Sequence, residues 1–328
     1  MKAYIRSIGA SIPERRISNE EFARRVDTTD EWIVSHTGIS FRHVAADDQA
    51  TSDLAIAAAN IALERAGLTS EDIDMILVAT ATPDFVGFPA TACIVQNELR
   101  APHTAAMDIT AGCTGFIYGL ETARGYISSG FADNVLVIGA ECLSRVMDWD
   151  DRDTCVLFGD GAGAAIVSAG SEEGDRGILY SFIRSQGSGA HLLERKAGGS
   201  RFPFDPDKMT IKDMYLHMDG RKVYNFAVRV IVDSIKKILE KNSLDIEQVK
   251  YIVPHQANIR IVEAAAKRSK IPMEKFYMNI AEYANTSAAT IPIALNEMWE
   301  KKLLKEGDLI ITVGFGAGLT YGGNLIRW

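Results

Sequence analysis

Cys113 sits in MDITAGCTGFIYGLETARGYISSG, where an apolar strand runs into Gly112-Cys113-Thr114-Gly115 and then into a helix with small and aromatic residues on its inner face. That order puts the sulfur near a helix amino terminus, where unpaired backbone N–H groups and the helix dipole favour a thiolate, the nucleophilic form of cysteine. Glycines on both sides let a substrate backbone or a thioester come close. Most free cysteines are small buried hydrophobes, and Cys93, Cys142 and Cys155 keep that ordinary reading. The glycine frame sets Cys113 apart. His255 lies at the carboxyl end of the strand KYIVP, in PHQANIRI, with an extended approach fixed by Pro254. Ligands collect at such strand ends in α/β proteins. Asn285, in EYANTSAATIPIALNEM, reads first as part of a helix N-cap cluster.

An internal repeat supplies the frame that must hold these side chains. When IALERAGLTSEDIDMILVATAT is laid over KILEKNSLDIEQVKYIVPHQAN, Leu63, Leu68, Glu71, Ile73 and Ile76 fall on Leu239, Leu244, Glu247, Val249 and Ile252. Each copy reads as an amphipathic helix, a short polar turn and an apolar strand ending in polar residues. ADNVLVIGAE and EGDLIITVGFG form a second pair at nearly the same offset. His255 then shares its register with the ATATP end of the first half, and Asn285 takes roughly the place that GCTGF holds there. One unit used twice predicts two halves, 1–173 carrying the cysteine and 174–328 carrying the histidine and the asparagine. IDMILVA, AAMDIT, NVLVIG, AAIVS, KYIVP and LIITVG alternate with helical stretches, which predicts an α/β fold with buried sheets. SEEGDRG through GSGAHLLERKAGGSRFPFDPDKMT is rich in Gly, Pro and charge and reads as a surface connection.

Composition narrows the function classes. The 328 residues are 47% apolar and 24% charged, which excludes disorder for most of the chain. Lys and Arg total 35 against 43 Asp and Glu, a net charge of −8, so the overall field draws the chain to neither nucleic acid nor anionic lipid. An anionic partner has to use a local basic patch. The four cysteines show no CxxC pairing and the six histidines no metal-ligand spacing. MKAYIRSIGASIPERR lacks the apolar core of a signal peptide, and no stretch approaches the roughly 18 apolar residues of a membrane span. The expectation is a soluble, cytoplasmic, reduced protein.

DEWIVSHTGI, ATPDFVGFPATAC, AGCTGF, LFGDGAGAA, PHQANIRI, NTSAA and GFGAGLTYGG follow one another in an order that resembles the β-ketoacyl-acyl carrier protein synthase III family of the thiolase superfamily, over essentially the whole chain. The resemblance implies a thiolase-like duplicated α-β-α-β-α five-layer fold and a homodimer. It implies decarboxylative Claisen condensation of an acyl-CoA starter with malonyl-acyl carrier protein, the opening step of fatty acid biosynthesis. Cys113 would be the nucleophile, completed by His255 and Asn285, with the backbone N–H groups of Cys113 and Ala317 holding the oxyanion. Trp32 and Arg152 would stack on the two faces of the CoA adenine, beside His36; Phe88, reaching across the dimer, would line the acyl pocket with Leu143 and Phe158. Gln256, Arg260, Lys267, Arg268 and Arg221 would meet the acidic carrier protein, with Lys222 beside them. No metal or redox cofactor is implied, the CoA thioester being a substrate.

Four positions depart from the family pattern. Ala317 stands where the family has its oxyanion glycine, Ala284 replaces the glycine of a tight YGN turn, His36 replaces an arginine, and Asn225 a basic residue. Both loops are expected to keep their usual path. A histidine carries less positive charge than an arginine near neutral pH, which leaves a weaker CoA site or another thioester carrier open. An acyltransferase, or a ketosynthase of specialised metabolism, would share the fold and Cys113; release of carbon dioxide from a malonyl substrate separates condensation from plain acyl transfer. A cysteine protease uses the same three residue types but acts on peptides with no carrier. A dimeric binding module would leave Cys113 unreactive.

Overall fold

The computed structural model describes residues 2–171 and 176–328, so the boundary expected between 173 and 174 lies outside the described residues. Its strands are β1 (Lys2–Ser11), β2 (Arg15–Ser18), β3 (Phe41–Val44), β4 (Met75–Ala79), β5 (Ala105–Ile109), β6 (Asn134–Glu141), β7 (Gly161–Gly170), β8 (Gly177–Ser185), β9 (Leu193–Arg195), β10 (Leu216–Met218), β11 (Val249–Pro254), β12 (Leu309–Gly316) and β13 (Thr320–Arg327). One five-stranded sheet has the order β1-β7-β6-β4-β5 and a four-stranded sheet the order β11-β12-β13-β8. In each, the strands that lead toward the site run parallel, β4 with β5 and β6, and β11 with β12.

The apolar runs are continuous because both faces of each sheet are covered. Along β6, Val135 and Val137 face the middle of the molecule, while Leu136 and Ile138 face outward under helix Thr51–Ala66. Along β12, Ile310 points to the middle, and Ile311, Val313 and Phe315 point to the outer helices Gly220–Asn242 and Ile259–Ser269. Helices Gly115–Ser128 and Thr290–Glu300 fill the space between the sheets with Phe116, Ile117, Leu120, Ile291 and Leu295. The result is five layers, helix-sheet-helix-sheet-helix. Each fully buried Leu, Ile or Val stabilises the fold by about 1.5–3 kcal/mol, so the central layer anchors the two turns that carry the site.

The repeat is visible in detail. Helices Thr51–Ala66 and Gly220–Asn242 both end on a left-handed residue, Gly67 at φ +65° and Ser243 at φ +51°. Each is followed by a short 3-10 turn, Ser70–Asp72 or Ile246–Gln248, tied by a side chain reaching back to a backbone N–H (Asp72 to Thr69 at 2.7 Å, Gln248 to Asp245 at 2.8 Å). The strands β4 and β11 come next. The polar connection after residue 171 is less of a loop than its composition predicts, since it contains β8, the edge strand of the second sheet. Ile178 and Phe182 are buried there while Leu179 is exposed, and this alternation is what pairing with β13 requires. No helix among the described residues is long and apolar enough to cross a membrane.

Candidate active site

Cys113 lies in the 3-10 turn Gly112–Thr114, which links β5 to the central helix Gly115–Ser128. Gly112 has φ +54°, and a Cβ there would stand 2.8 Å from the Ala317 nitrogen. A Cβ on Gly316 would stand 2.6 Å from the Cys113 nitrogen. Two missing side chains therefore let the end of β12 close against the cysteine turn, bringing the backbone of Ala317 to Cys113 from the opposite half. Ala317 follows Gly316 without entering the left-handed region; the left-handed residues of that loop are Gly318 and Leu319, at φ +74° and +47°. An alanine at 317 is thus free of the strain that its glycine-to-alanine replacement suggested.

His255 follows β11, its backbone N–H donating to Val313 O at 2.7 Å. Its ring packs edge-on against Phe315, with centroids 5.2 Å apart. Nδ1 is 2.8 Å from the Thr290 hydroxyl, and Nε2 is buried with no partner. A Cβ on Gly314 would touch both His255 Cβ and Thr114 Cγ2, so histidine and cysteine turn share one glycine surface. Asn285 is pinned between backbone neighbours, donating its N–H to Leu157 O at 3.0 Å and accepting from Gly159 N–H at 3.1 Å. Its Oδ1 accepts from the Ser287 N–H at 2.9 Å, so the amide nitrogen is the end left to act as a donor.

Ser287 links the asparagine to the histidine. Its N–H donates to Asn285 Oδ1, and its carbonyl accepts at 3.0 Å from the Thr290 hydroxyl that meets His255 Nδ1. The environment is dry. Burial pushes the Cys113 thiol up to about 12, with the Ser287 hydrogen bond pulling the other way and the Glu141 charge adding to the rise. Burial alone pushes His255 down to about 3. Desolvation thus outweighs the helix-terminus effect expected from sequence, and the resting pair is a thiol and a neutral imidazole.

A cleft of about 610 Å³ is lined by Trp32, His36, Leu157, Arg221 and Asn258 among others; Cys113, His255 and Asn285 do not line it, and Leu157, whose carbonyl holds the Asn285 N–H, lies between it and them. Asn258 and Arg260 tie its two walls together: Asn258 Nδ2 donates to His36 O at 3.0 Å, and Arg260 Nε to Ser35 O at 3.0 Å. Arg152 lies over Trp32, 4.1 Å from the ring centroid, and His36 stacks on the same indole at 4.3 Å. The two groups expected to flank an adenine therefore touch each other, and a base fits between them only when the guanidinium swings aside.

The other expected residues divide. Arg260, Lys267, Arg268 and Arg221 are exposed, with Lys267 and Arg268 on the last turn of helix Ile259–Ser269; Lys222 is paired with Asp219 at 3.0 Å. Gln256 is a correction. It is 1% exposed, its amide nitrogen donates to Tyr277 O and its oxygen accepts from Asn279 N–H, so it braces the chain beneath the site and presents nothing to a carrier protein. Phe88 is 88% exposed on this chain, beside exposed Phe85 and Val86. Leu143 and Phe158 are buried in one apolar cluster with Ala284, and Phe158 forms a backbone bridge with Asn285. Ala284 itself has φ +56° and ψ −158°, a region suited to glycine. Ser287, Thr290 and Glu141 went unmarked in the sequence, although the first two lie in NTSAAT and the third is the lone acid closing VLVIGAE.

Known proteins share this architecture. A family model described as 3-Oxoacyl-[acyl-carrier-protein (ACP)] synthase III matches residues 107–199, and one for the C-terminal part of the same synthase matches residues 239–328. The beta-ketoacyl-[acyl-carrier-protein] synthase III of Caldanaerobacter subterraneus subsp. tengcongensis is 49% identical over 326 residues, covering 99% of this chain and 98% of its own. The crystal structure of 3-oxoacyl-[acyl-carrier-protein] synthase III from Aquifex aeolicus superposes with a TM-score of 0.90 at 42% identity, over 99% of this chain and 100% of the other. A priming beta-ketosynthase from a polyketide biosynthetic pathway superposes with a TM-score of 0.91 at 32% identity, over 99% of this chain and 96% of the other. With the same ordered motifs, the same five layers and relatives that match it end to end, the chain belongs to the β-ketoacyl-acyl carrier protein synthase III family.

Proposed function

We propose that this enzyme condenses an acyl-CoA starter with malonyl-acyl carrier protein, releasing carbon dioxide and giving β-ketoacyl-acyl carrier protein, the step that initiates fatty acid synthesis. The observation that carries the reading is the convergence of a cysteine turn from one half with a histidine and an asparagine from the other: the turn and His255 share the Gly314 surface, His255 and Asn285 are linked through Thr290 and Ser287, and Leu157 joins Asn285 to a cleft open to solvent. Cys113 attacks the thioester carbonyl and keeps the acyl group, splitting one difficult carbon–carbon bond formation into two steps. The backbone N–H groups of Cys113 and Ala317 stabilise the oxyanion of that step.

Malonyl-carrier then occupies the cleft. As its carboxylate leaves as carbon dioxide, the electron pair passes to the α-carbon and the thioester oxygen, where the Asn285 amide and His255 Nε2 donate. As placed, the Thr290 hydroxyl donates to the Ser287 carbonyl and accepts from Nδ1–H; the tautomer this role needs, with the proton on Nε2, forms when that hydroxyl turns to Nδ1 instead. The enolate carbon attacks the acyl carbonyl and expels the Cys113 sulfur. All charge stabilisation comes from the chain's own groups, so the reaction as written calls on no metal or redox cofactor. The exposed Arg260, Lys267, Arg268 and Arg221 serve as the docking patch for an acidic carrier. Homodimerisation through the loop with Phe85, Val86 and Phe88, and a cytoplasmic location, complete the proposal.

The polyketide-pathway ketosynthase among the relatives favours a second reading, a specialised-metabolism ketosynthase with another donor or acceptor. Purified enzyme with a panel of acyl-CoAs and acyl-carriers, plus malonyl-carrier, tests both. Carbon dioxide and β-ketoacyl-carrier from an acyl-CoA support the first; product from acyl-carrier donors alone supports the second, and acyl transfer without carbon dioxide refutes both.

A further inference from the structure

The contact between the Cys113 turn and the end of β12 is made possible by absent side chains, and absence gives no grip. A Cβ on Gly112 would stand 2.8 Å from the Ala317 nitrogen, and one on Gly316 would stand 2.6 Å from the Cys113 nitrogen, so the two backbones meet through two glycines. Glycine has the freest backbone of any residue, and the turn that follows bends through the left-handed Gly318 and Leu319. Misplacing a catalytic group by about 1 Å can slow a reaction by about 10²-fold. The Ala317 N–H therefore needs a hold of its own.

The outer side of its turn has one. Leu319 is buried, its carbonyl accepts from the Gln186 N–H at 3.0 Å, and its side chain fills the place where a Cβ on Gly189 would stand. The side toward the nucleophile is held by two hydroxyls, Thr114 from the first half and Thr320 from the second. Thr114 follows Cys113 directly and is fully buried; Thr320 is half-buried and pairs with Gly316 across the neck of the β12–β13 turn. Their oxygens are 2.8 Å apart. Thr114 Oγ1 is also 2.8 Å from Ala111 O, while Thr320 Oγ1 is 3.0 Å from Ala111 O and 3.1 Å from Ala317 O. Two hydroxyl oxygens at that separation hold one proton between them. The other proton goes to a carbonyl: from Thr114 to Ala111, or from Thr320 to Ala111 or Ala317. Every such arrangement leaves at least one hydrogen bond crossing from the cysteine turn to the turn of Ala317.

We propose that Thr114 and Thr320 are positioning residues whose shared hydrogen bond clamps the Ala317 turn to the Cys113 turn and fixes the spacing of the two backbone N–H groups that receive the thioester oxygen. This deepens the proposed function and rests on it. Neither hydroxyl gives or takes a proton in the reaction; each acts through the backbone it holds. The clamp serves the two steps in which charge appears on the acyl carbonyl oxygen, acylation of Cys113 and attack of the enolate carbon on the acyl-enzyme. Binding of the acyl-CoA does not depend on it.

Thr320→Val removes the hydroxyl and keeps the shape of the side chain. It should lower the limiting rate of Cys113 acylation about tenfold, the effect of roughly one hydrogen bond, with half-saturating acyl-CoA unmoved and the same fraction of enzyme acylated at the end. Quenched-flow intact mass at several acyl-CoA concentrations reads all three, and Thr320→Ser should recover most of the rate. Thr114→Val leaves Thr320 its bond to Ala111 O across the halves, so it should slow acylation less. The double variant should be no slower than Thr320→Val, because the crossing bond is already gone there. A ¹³C label in the acyl carbonyl adds a readout that loss of folded protein does not move. In Thr320→Val the infrared stretch of acyl-Cys113 should shift to higher frequency as the carbonyl loses polarisation from the Ala317 N–H, and in Thr320→Ser it should return. Acylation by Thr320→Val at the wild-type rate, an unshifted stretch, a loss confined to the amount of enzyme that acylates, or losses that multiply in the double variant would each overturn the clamp. Failure of wild-type Cys113 to acylate at all overturns the proposed function instead.

Discussion

The turns Gly112–Thr114 and Ser287–Ala289 are one device in two copies. Each is a 3-10 turn opening a central helix, and each starts in the left-handed region, at φ +54° for Gly112 and +49° for Ser287. In the first copy glycine takes that conformation without cost, and the absent Cβ admits the backbone of Ala317. In the second a serine takes it, at a cost of about 1 kcal/mol for a non-glycine residue, set against the hydrogen bonds its side chain and backbone make. The first copy leaves Cys113 half-buried, open to an incoming thioester; the second is buried and fixed, with every residue from Asn285 to Thr290 enclosed. Duplication followed by this divergence separates the nucleophile from the groups that stabilise charge. Where the first half ends its strand β6 in the charged Glu141, the second ends β12 in Gly316, so the acid lies on one side only.

The largest break in that division comes from the second copy. His255→Ala or Asn285→Ala should slow condensation from pre-acylated enzyme by about 10²–10³-fold, the usual cost of one oxyanion donor, while Cys113 acylation keeps most of its rate. Quenched-flow mass analysis reads the two steps, and equal losses in both would erase the distinction between the halves. Thr290→Val removes the hydroxyl that orients His255, and one hydrogen bond of about 1–1.5 kcal/mol corresponds to roughly a tenfold fall in condensation rate. Thr290→Ser should restore it.

The buried imidazole also makes stability depend on pH. His255 is held down to about 3 when folded, against an ordinary histidine value of about 6.5. Between those values the unfolded chain binds a proton that the folded chain does not, so stability falls as pH drops through that window, by up to about 1.4 kcal/mol per pH unit. In urea titrations at several pH values, His255→Phe should flatten the acid limb by that amount; an unchanged slope would place the ring in water. The smallest effect belongs to Ala284, whose φ of +56° suits glycine. Ala284→Gly should raise stability by about 1 kcal/mol, strain relief exceeding the extra flexibility of the unfolded chain, and a lower melting temperature would deny the strain.

Much of the scaffold was legible because its signals are local. Continuous apolar runs in NVLVIG and LIITVG mark strands covered on both faces, and the glycines around Cys113 mark a close approach before any partner is known. What escaped depends on distance in space. Gln256 follows a site histidine, yet its amide is consumed by residues 277 and 279, a contact that no spacing reveals. Glu141 is a single letter at the end of an apolar run, and the hydroxyls that hold it, on Thr80 and Thr82, are far from it in sequence. The helix-terminus argument for a Cys113 thiolate was sound locally and was outweighed by burial, which only the assembled layers supply. Likewise the resemblance implies an adenine between Trp32 and Arg152, whereas in the structure they touch directly.

The central claim is that Cys113 carries the acyl group between two chemically distinct half-reactions. Its most direct test is intact mass of the enzyme after acyl-CoA alone, followed by a chase with malonyl-carrier, with Cys113→Ala in parallel. The account predicts one acyl adduct that maps to Cys113, its loss during the chase with matching gain of β-ketoacyl-carrier, and no adduct on the variant. An adduct that persists through the chase, or β-ketoacyl-carrier made by Cys113→Ala at the wild-type rate, would contradict it.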